Sequence, residues 1–347
     1  MLAARLYGPN DLRIEEVTAP EPGPGELVVR VRAAAICGTD LRAFKNGLAS
    51  TGPTPPRILG HEVAGEVAAT GPGVTGFELG QRVTIAPNIG CGHCAFCVSG
   101  RVHMCPSLTA IGIQVDGGFA EYVRIPAEGV LHGNVIPLPD GVSFAEAALV
   151  EPLACCYNSF EVLRPAPGEY VMIYGAGPIG IFHLLLARMV SPAKIILADP
   201  LPQRLASAEA FCPDVVVDPS RPDLGDLLMV ETGGHGVDVT IVACPSPQAQ
   251  ADALVNAATF GRISLFGGLP AEREIVPLNA NAIHYKQLTV TGTTRSNTAH
   301  YVRALNLVAS GRIATGALVT GEYALRDALS AFAEAAAGRG LKTLFLA

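Results

Sequence analysis

At 347 residues the chain is longer than a single hydrophobic core usually supports, so two domains are expected. With 49% apolar and only 16% charged residues, it is too hydrophobic to be intrinsically disordered. A net charge of −7 and the lack of any Lys/Arg cluster argue against a nucleic-acid or anionic-membrane partner and leave small-molecule chemistry. The first ten residues carry no apolar run followed by a small-residue cleavage site, so the cytoplasm is the expected compartment. In that compartment the nine cysteines point to metal ligation or catalysis before disulfides.

From residue 1 to about 145 short β-like runs alternate with Pro/Gly turns, as in Leu27 to Ala33, Glu62 to Ala68 and Gln81 to Ile85. This predicts an irregular, barrel-like β domain. Cys37 follows the first of these runs and, by itself, reads as a buried structural thiol. Between Ile58 and Val67, His61 and Glu62 stand side by side in an apolar, glycine-punctuated stretch. Such a pair is more often a hydrogen-bonded core pair than a ligand set, unless other residues supply partners.

Cys91, Cys94, Cys97 and Cys105 form the strongest local signal. Four thiolates at these spacings can close a tetrahedral zinc shell with no open position, which is a structural arrangement; an iron–sulfur cluster or a redox pair is the alternative. His93 and His103 lie within this lobe as bystanders, because four cysteines already fill the shell. Further on, Glu151 precedes Pro152 at an expected helix break or irregular turn.

From about 160 to 292 strand-like and helix-like segments alternate, which predicts a parallel sheet with crossover helices. Strands are expected at Tyr170 to Tyr174, Lys194 to Ala198, Asp214 to Val217, Val237 to Ala243, Arg262 to Phe266 and Leu288 to Thr291. Tyr170 to Ala187 is nearly long enough to span a bilayer, but its Gly-Ala-Gly-Pro centre marks a strand, a turn and a helix. Gly175, Gly177 and Gly180 form a Gly-x-Gly-x-x-Gly turn, and Asp199 stands 19 residues (199 − 180) after the last glycine, at the end of the following strand. These glycines let backbone approach a pyrophosphate at a helix N-terminus, and Asp199 can accept from both ribose hydroxyls while repelling a 2′-phosphate. NAD is therefore expected over NADP. Arg204 either packs on the adenine face or is a solvated helix residue. The tail predicts helices from Thr298 to Ser310 and from Ala324 to Ala337, then a strand from Leu341 to Leu346.

Cys37, Gly60-His61-Glu62, the four-cysteine lobe, Glu151-Pro152 and Gly175-Ala-Gly-Pro-Ile-Gly180 occur in one order along the chain. In this combination the sequence resembles the zinc-dependent medium-chain dehydrogenase/reductase family, closest to its polyol, sugar and threonine dehydrogenase branch. The resemblance implies an α/β plus β fold: a GroES-like irregular β-barrel catalytic domain (1–150, zinc lobe about 88–108), an inserted Rossmann coenzyme domain with a doubly wound parallel sheet (151–292), and a C-terminal return (293–347). It implies two zinc ions per subunit. One is structural, on Cys91, Cys94, Cys97 and Cys105; the other is catalytic, in the interdomain cleft, on Cys37 and His61 with Glu62, Glu151 or water completing the shell. One thiolate, one imidazole and a carboxylate leave a position open for substrate, unlike the closed lobe.

The expected coenzyme contacts are Gly175, Gly177, Pro178, Ile179, Gly180, Asp199, Arg204 and Phe266. Thr39 resembles the family's relay hydroxyl, but Arg42 stands where relatives often carry a proton-shuttling histidine, and arginine does not release a proton at neutral pH. Arg42 could instead bind a coenzyme phosphate. Phe44, Phe119 and Arg295 occupy stretches that line the pocket in similar enzymes. The implied activity is hydride transfer between NAD and a secondary alcohol of a polyol, sugar or cyclitol, with an amino alcohol such as threonine as the alternative. A non-catalytic coenzyme-binding protein on the same scaffold would be expected to have lost Cys37, His61 or the carboxylates, and all are present. The expected partners are a small polar alcohol or ketone and further copies of the chain, as a dimer or tetramer, with no nucleic acid and no membrane.

Overall fold

The strand Leu27–Ala35 is buried at seven of its nine positions and is paired on both sides, so it forms the centre of a sheet. It runs antiparallel to Glu62–Thr70, with Ala35 opposite Glu62, and antiparallel to Lys342–Leu346, with Leu344 opposite Ala35. Tyr122–Ile125 pairs with its first half, while Arg82–Ile85 and Val135–Pro137 extend the sheet on one side and Val319–Tyr323 on the other. A second sheet of Leu2–Gly8, Asp11–Glu16 and Arg57–Ile58 shares the same core: Leu6 and Leu12 join Val29, Phe119, Phe332 and Phe345. This register has a functional consequence. The end of one strand and the starts of its two neighbours coincide, which brings together residues just past Ala35 with Glu62 and Lys342.

The computed structural model describes residues 1–48 and 54–347. Met1–Ala154 and Arg295–Ala347 form one compact unit, and Cys155–Thr294 form the other. In the second unit six parallel strands are ordered Val215–Val217, Lys194–Ala198, Tyr170–Tyr174, Val237–Val242, Ala257–Leu265, Thr289–Gly292. Numbered within the unit, that is 3-2-1-4-5-6, the doubly wound order whose direction reverses beside the first strand. Val171, Met172, Ile173 and Tyr174 are all buried, as expected of a strand covered on both faces.

Local chemistry shifts several expected boundaries. The expected break falls at Leu149, which ends the helix Phe144–Ala148, and Glu151 lies in the first turn of the next helix, Val150–Leu163, where the missing N–H of Pro152 costs no intrahelical bond. The cap of the helix Thr298–Ala309 is Asn297, whose side chain accepts from the His300 N–H, so Thr298 is the first helical residue. The last helix, Ala328–Ala337, starts later than its alanine-rich sequence suggests, because Leu325–Asp327 forms a 3₁₀ turn. Tyr170 to Ala187 divides into strand, turn and helix, and among the described residues no helix is long and apolar enough to cross a membrane.

Candidate metal and coenzyme sites

The four-cysteine lobe is assembled from short-range structure. Cys94 caps the short helix Ala95–Val98, and its sulfur accepts from the Cys97 N–H at 3.5 Å, while Cys105 Sγ accepts from the Cys91 N–H at 3.4 Å. The sulfur atoms of Cys91, Cys94, Cys97 and Cys105 all lie within 4.8 Å of one another. Cys91 and Cys97 sulfurs are 4.0 Å apart and those of Cys94 and Cys105 3.8 Å. A tetrahedron with zinc–sulfur bonds of ~2.3 Å has edges of ~3.8 Å, so these separations fit a tetrathiolate zinc and are far too long for disulfides. The lobe is tied to the returning chain: Asn88 Nδ2 donates to the Ser296 carbonyl at 3.1 Å and Asn297 Nδ2 to the Gly100 carbonyl at 2.9 Å.

The second cluster depends on the sheet register. Cys37 caps the helix Gly38–Asn46, directly after the central strand, and Glu62 opens the neighbouring strand. His61 follows Gly60, whose φ of 94° suits glycine, and a Cβ there would sit 2.5 Å from the Phe119 ring. One ligand atom each from Cys37, His61 and Glu62 lies within 4.8 Å of the others. His61 and Glu62 are buried, and His61 Nδ1 and Glu62 Oε1 have no hydrogen-bond partner among the described residues. Buried polar atoms are normally paired, so the orphaned Glu62 oxygen beside a thiol and an imidazole fits a bound cation.

Two residues not singled out from the sequence complete this cluster. Asp40, 1% exposed, accepts from the Cys37 N–H at 2.8 Å and the Gly60 N–H at 3.3 Å, and its Oδ1 is 3.6 Å from His61 Nδ1. The available signal was a capping acid three residues after Cys37. Lys342 reaches in from the last strand and donates to Glu62 Oε2 at 2.5 Å and the Ile36 carbonyl at 2.9 Å. Its signal was a lone lysine two residues before the inward-packed Leu344.

Glu151 is buried near enough to act on both His61 and Lys342. Burial pulls the His61 imidazole down, but Asp40, then Cys37 and Glu151, outweigh it and hold His61 well above its ordinary range. Lys342 follows the same pattern: burial lowers it, and Glu62 foremost, with Cys37 and Glu151, raises it. Asp40 is itself raised, by burial first, against the opposing charge of His61. The cluster is therefore an acidic, water-poor pocket that draws in positive charge. Thr39 is half-buried one residue past the first helical position, and its Oγ1 accepts from Arg42 Nη2 at 3.0 Å.

In the second unit, the strand Tyr170–Tyr174 ends at Gly175, which has φ of 107°, and Gly177 caps the helix Pro178–Arg188 with Pro178 in its first turn. A Cβ on Gly180 would lie 1.7 Å from the Gly175 carbonyl oxygen, so only glycine allows this turn to close on its helix. The Asp199 carboxylate is set by backbone: Oδ2 accepts from Ala176 N–H and Oδ1 from Leu201 N–H, each at 2.9 Å. Arg204 lies in the helix Pro202–Ala208, partly exposed, with its Nη1 3.7 Å from Asp199 Oδ2. Phe266 follows the strand Ala257–Leu265, and its ring meets buried His183 edge-to-face at 4.9 Å. Burial pushes His183 down to about 3, so its imidazole is neutral.

Residues 23–140 match the alcohol dehydrogenase GroES-like domain, and residues 178–310 match the zinc-binding dehydrogenase domain. An L-threonine 3-dehydrogenase from Pyrococcus furiosus is 36% identical over 334 residues, covering 95% of this chain and 94% of that protein. The chain is a zinc-dependent medium-chain dehydrogenase. A sorbitol dehydrogenase from Bacillus subtilis is 32% identical over 338 residues, covering 96% of this dehydrogenase and 93% of that protein, which places the chain in the polyol and threonine branch. The crystal structure of a putative zinc-binding dehydrogenase from Sinorhizobium meliloti, bound to NADP, superposes with a TM-score of 0.91 at 33% identity, covering 100% of this chain and 99% of that one. The family is a zinc-binding one, and the four-cysteine lobe of this dehydrogenase has the donors for such an ion.

Phe119, in a stretch expected to line the pocket, is itself fully buried and edge-on to Phe332 and Phe345, with Gly60 leaving room for its ring. Phe44 packs on Phe332 as well, and Arg295, with φ of 56°, donates to the His103 carbonyl at 3.4 Å.

Proposed function

We propose that this dehydrogenase oxidises a secondary alcohol of a polyol, sugar or cyclitol, amino-cyclitols included, with NAD, and reduces the matching ketone in reverse. One observation carries the reading: Cys37, His61 and Glu62 converge in a largely buried cluster with Glu62 Oε1 unpartnered. Cys37, His61 and a carboxylate, Glu62 or Glu151, would hold the catalytic zinc. Bound there, zinc would supply Lewis-acid chemistry that makes a hydroxyl easier to ionise, as it lowers the pKa of bound water to about 7.

The chain's own residues do the remaining work. Asp40 orients the His61 ring, as second carboxylates do for metal-bound imidazoles. Thr39 Oγ1 takes the alcohol proton while its own proton moves on towards the coenzyme ribose. The glycine turn and Phe266 would hold the coenzyme, which would supply the hydride acceptor as the secondary alcohol becomes a ketone. Arg42 is permanently charged and ends the relay without carrying a proton; it fixes the Thr39 hydroxyl. Asp199, anchored by two backbone N–H groups, accepts from the ribose hydroxyls and disfavours a 2′-phosphate, with Arg204 offsetting part of that repulsion.

A second reading, oxidation of an amino alcohol such as L-threonine, is favoured by the 36% identity to the Pyrococcus furiosus enzyme. The reading includes a cytoplasmic homo-oligomer, either dimer or tetramer. Growth of the reduced-nicotinamide absorbance on polyols, sugars, cyclitols, amino alcohols and simple alcohols, each with NAD and with NADP, tests both readings. The highest kcat/KM is expected on a polyhydroxylated secondary alcohol with NAD. A best substrate that is an amino alcohol selects the second reading, and a preference for simple primary alcohols defeats both.

A further inference from the structure

We propose that Lys342 limits Glu62 to metal ligation through a single oxygen and so keeps the fourth position of the catalytic site available to substrate. The inference rests on the assignment of Cys37, His61 and Glu62 as ligands. Glu62 has no exposure, and its two oxygens differ: Oε2 is held by Lys342 Nζ at 2.5 Å, whereas Oε1 is unpartnered. Lys342 cannot easily withdraw. Its strand is paired to the central strand, Ile36 N–H donates to the Thr343 carbonyl at 2.9 Å, and a second ammonium proton is on the Ile36 carbonyl at 2.9 Å.

The side chains of Lys342 and Glu62 are 5% and 0% exposed, and separating a buried pair leaves both charges uncompensated. Oε2 therefore stays with the ammonium. A carboxylate free to use both oxygens would combine with one thiolate and one imidazole to fill four positions, which is the closed shell of a structural site. With one oxygen reserved, Cys37, His61 and Glu62 fill three. Lys342 is in this sense a positioning residue. A lysine that merely ties the last strand to the sheet would not alter how the metal accepts a fourth ligand.

Cobalt(II) exchanged into the catalytic site of the full-length dehydrogenase, with the cysteine lobe left on zinc, gives a readout independent of turnover. The wild type is expected to show a Cys37 thiolate charge-transfer band and visible bands that shift when imidazole is added as a fourth ligand. Lys342→Met is expected to need at least about tenfold more imidazole for the same shift and to release cobalt to a chelator more slowly; Lys342→Arg restores the wild-type response, and Glu62→Gln added to Lys342→Met reopens the position. Zinc retained in the cysteine lobe shows that each variant is folded. If Lys342→Met does not fold, Lys342→Gln removes the charge while keeping a donor for the Ile36 carbonyl, and the same change in imidazole response is expected. A neutral variant that takes imidazole like the wild type, or that loses cobalt faster, overturns the proposal. A wild type without the thiolate band instead overturns the ligand assignment beneath it.

Discussion

The two cysteine-bearing clusters of the first unit differ in how they are built, and the difference separates stability from chemistry. Cys91, Cys94, Cys97 and Cys105 come from fifteen consecutive residues (91 to 105), use one donor type four times, and bond locally to their own backbone. Cys37, His61 and Glu62 come from the ends of adjacent strands, mix three donor types, and draw on Asp40, Glu151 and Lys342 for charge. Four thiolates satisfy a metal completely and leave it inert, whereas a mixed set with a reserved oxygen leaves it reactive.

Removing one ligand from each cluster puts that contrast under the most strain. Cys37→Ser is expected to lose one zinc, keep the other, and lower kcat/KM by about three orders of magnitude, since the metal contributes several kcal/mol to charge stabilisation. Metal analysis alongside kinetics checks this; turnover surviving with both zinc ions present would make the two clusters equivalent. Cys97→Ser should do the reverse. Its unfolding midpoint is expected to fall by about 10 °C as the lobe loses its metal and releases the Ser296 and Asn297 contacts, while the folded fraction retains most of its kcat. Calorimetry with activity measured below the transition would show whether the lobe contributes to turnover after all.

The smallest effect sharpens the electrostatic half of the comparison. With the catalytic metal stripped, His61 is a cation held by Asp40, Cys37 and Glu151, and its folded pKa lies well above 6.5. A raised folded pKa means the native state holds the proton more tightly than the unfolded chain. The stabilisation is therefore complete below about pH 6.5 and is lost as the pH rises through the folded value. The stripped protein is expected to show a melting midpoint that drops over that window, and His61→Gln should flatten the slope. The same slope in the zinc-loaded enzyme would mean that the imidazole is not a ligand.

How much of this was legible depended on distance along the chain. The cysteine lobe, the glycine turn and the acid after the second strand are local patterns, each carried by spacing within a few tens of residues, and the structure places them in the contexts those spacings require. The side chain of Phe119 could not be placed from sequence because apolar side chains look alike whether they line a pocket or a core; its burial against Phe332 and Phe345, more than 200 positions later (332 − 119), decides it. Asp40 was readable only as a possible helix cap, and its closeness to His61 appears once Gly60 approaches the first helix.

By itself, then, the sequence determined the family and the fold class and brought forward the four lobe cysteines, Cys37, His61 and Glu62 as candidate ligands, because glycine turns and metal ligands require particular atoms at particular spacings. Only the tertiary structure decided which oxygen of Glu62 is free. That depends on Lys342, 280 positions away (342 − 62), and on an antiparallel register that sets the start of the last strand beside the end of the central one. A buried carboxylate takes its chemistry from whichever charge is packed against it, and pairing between distant strands is set by the folded sheet as a whole.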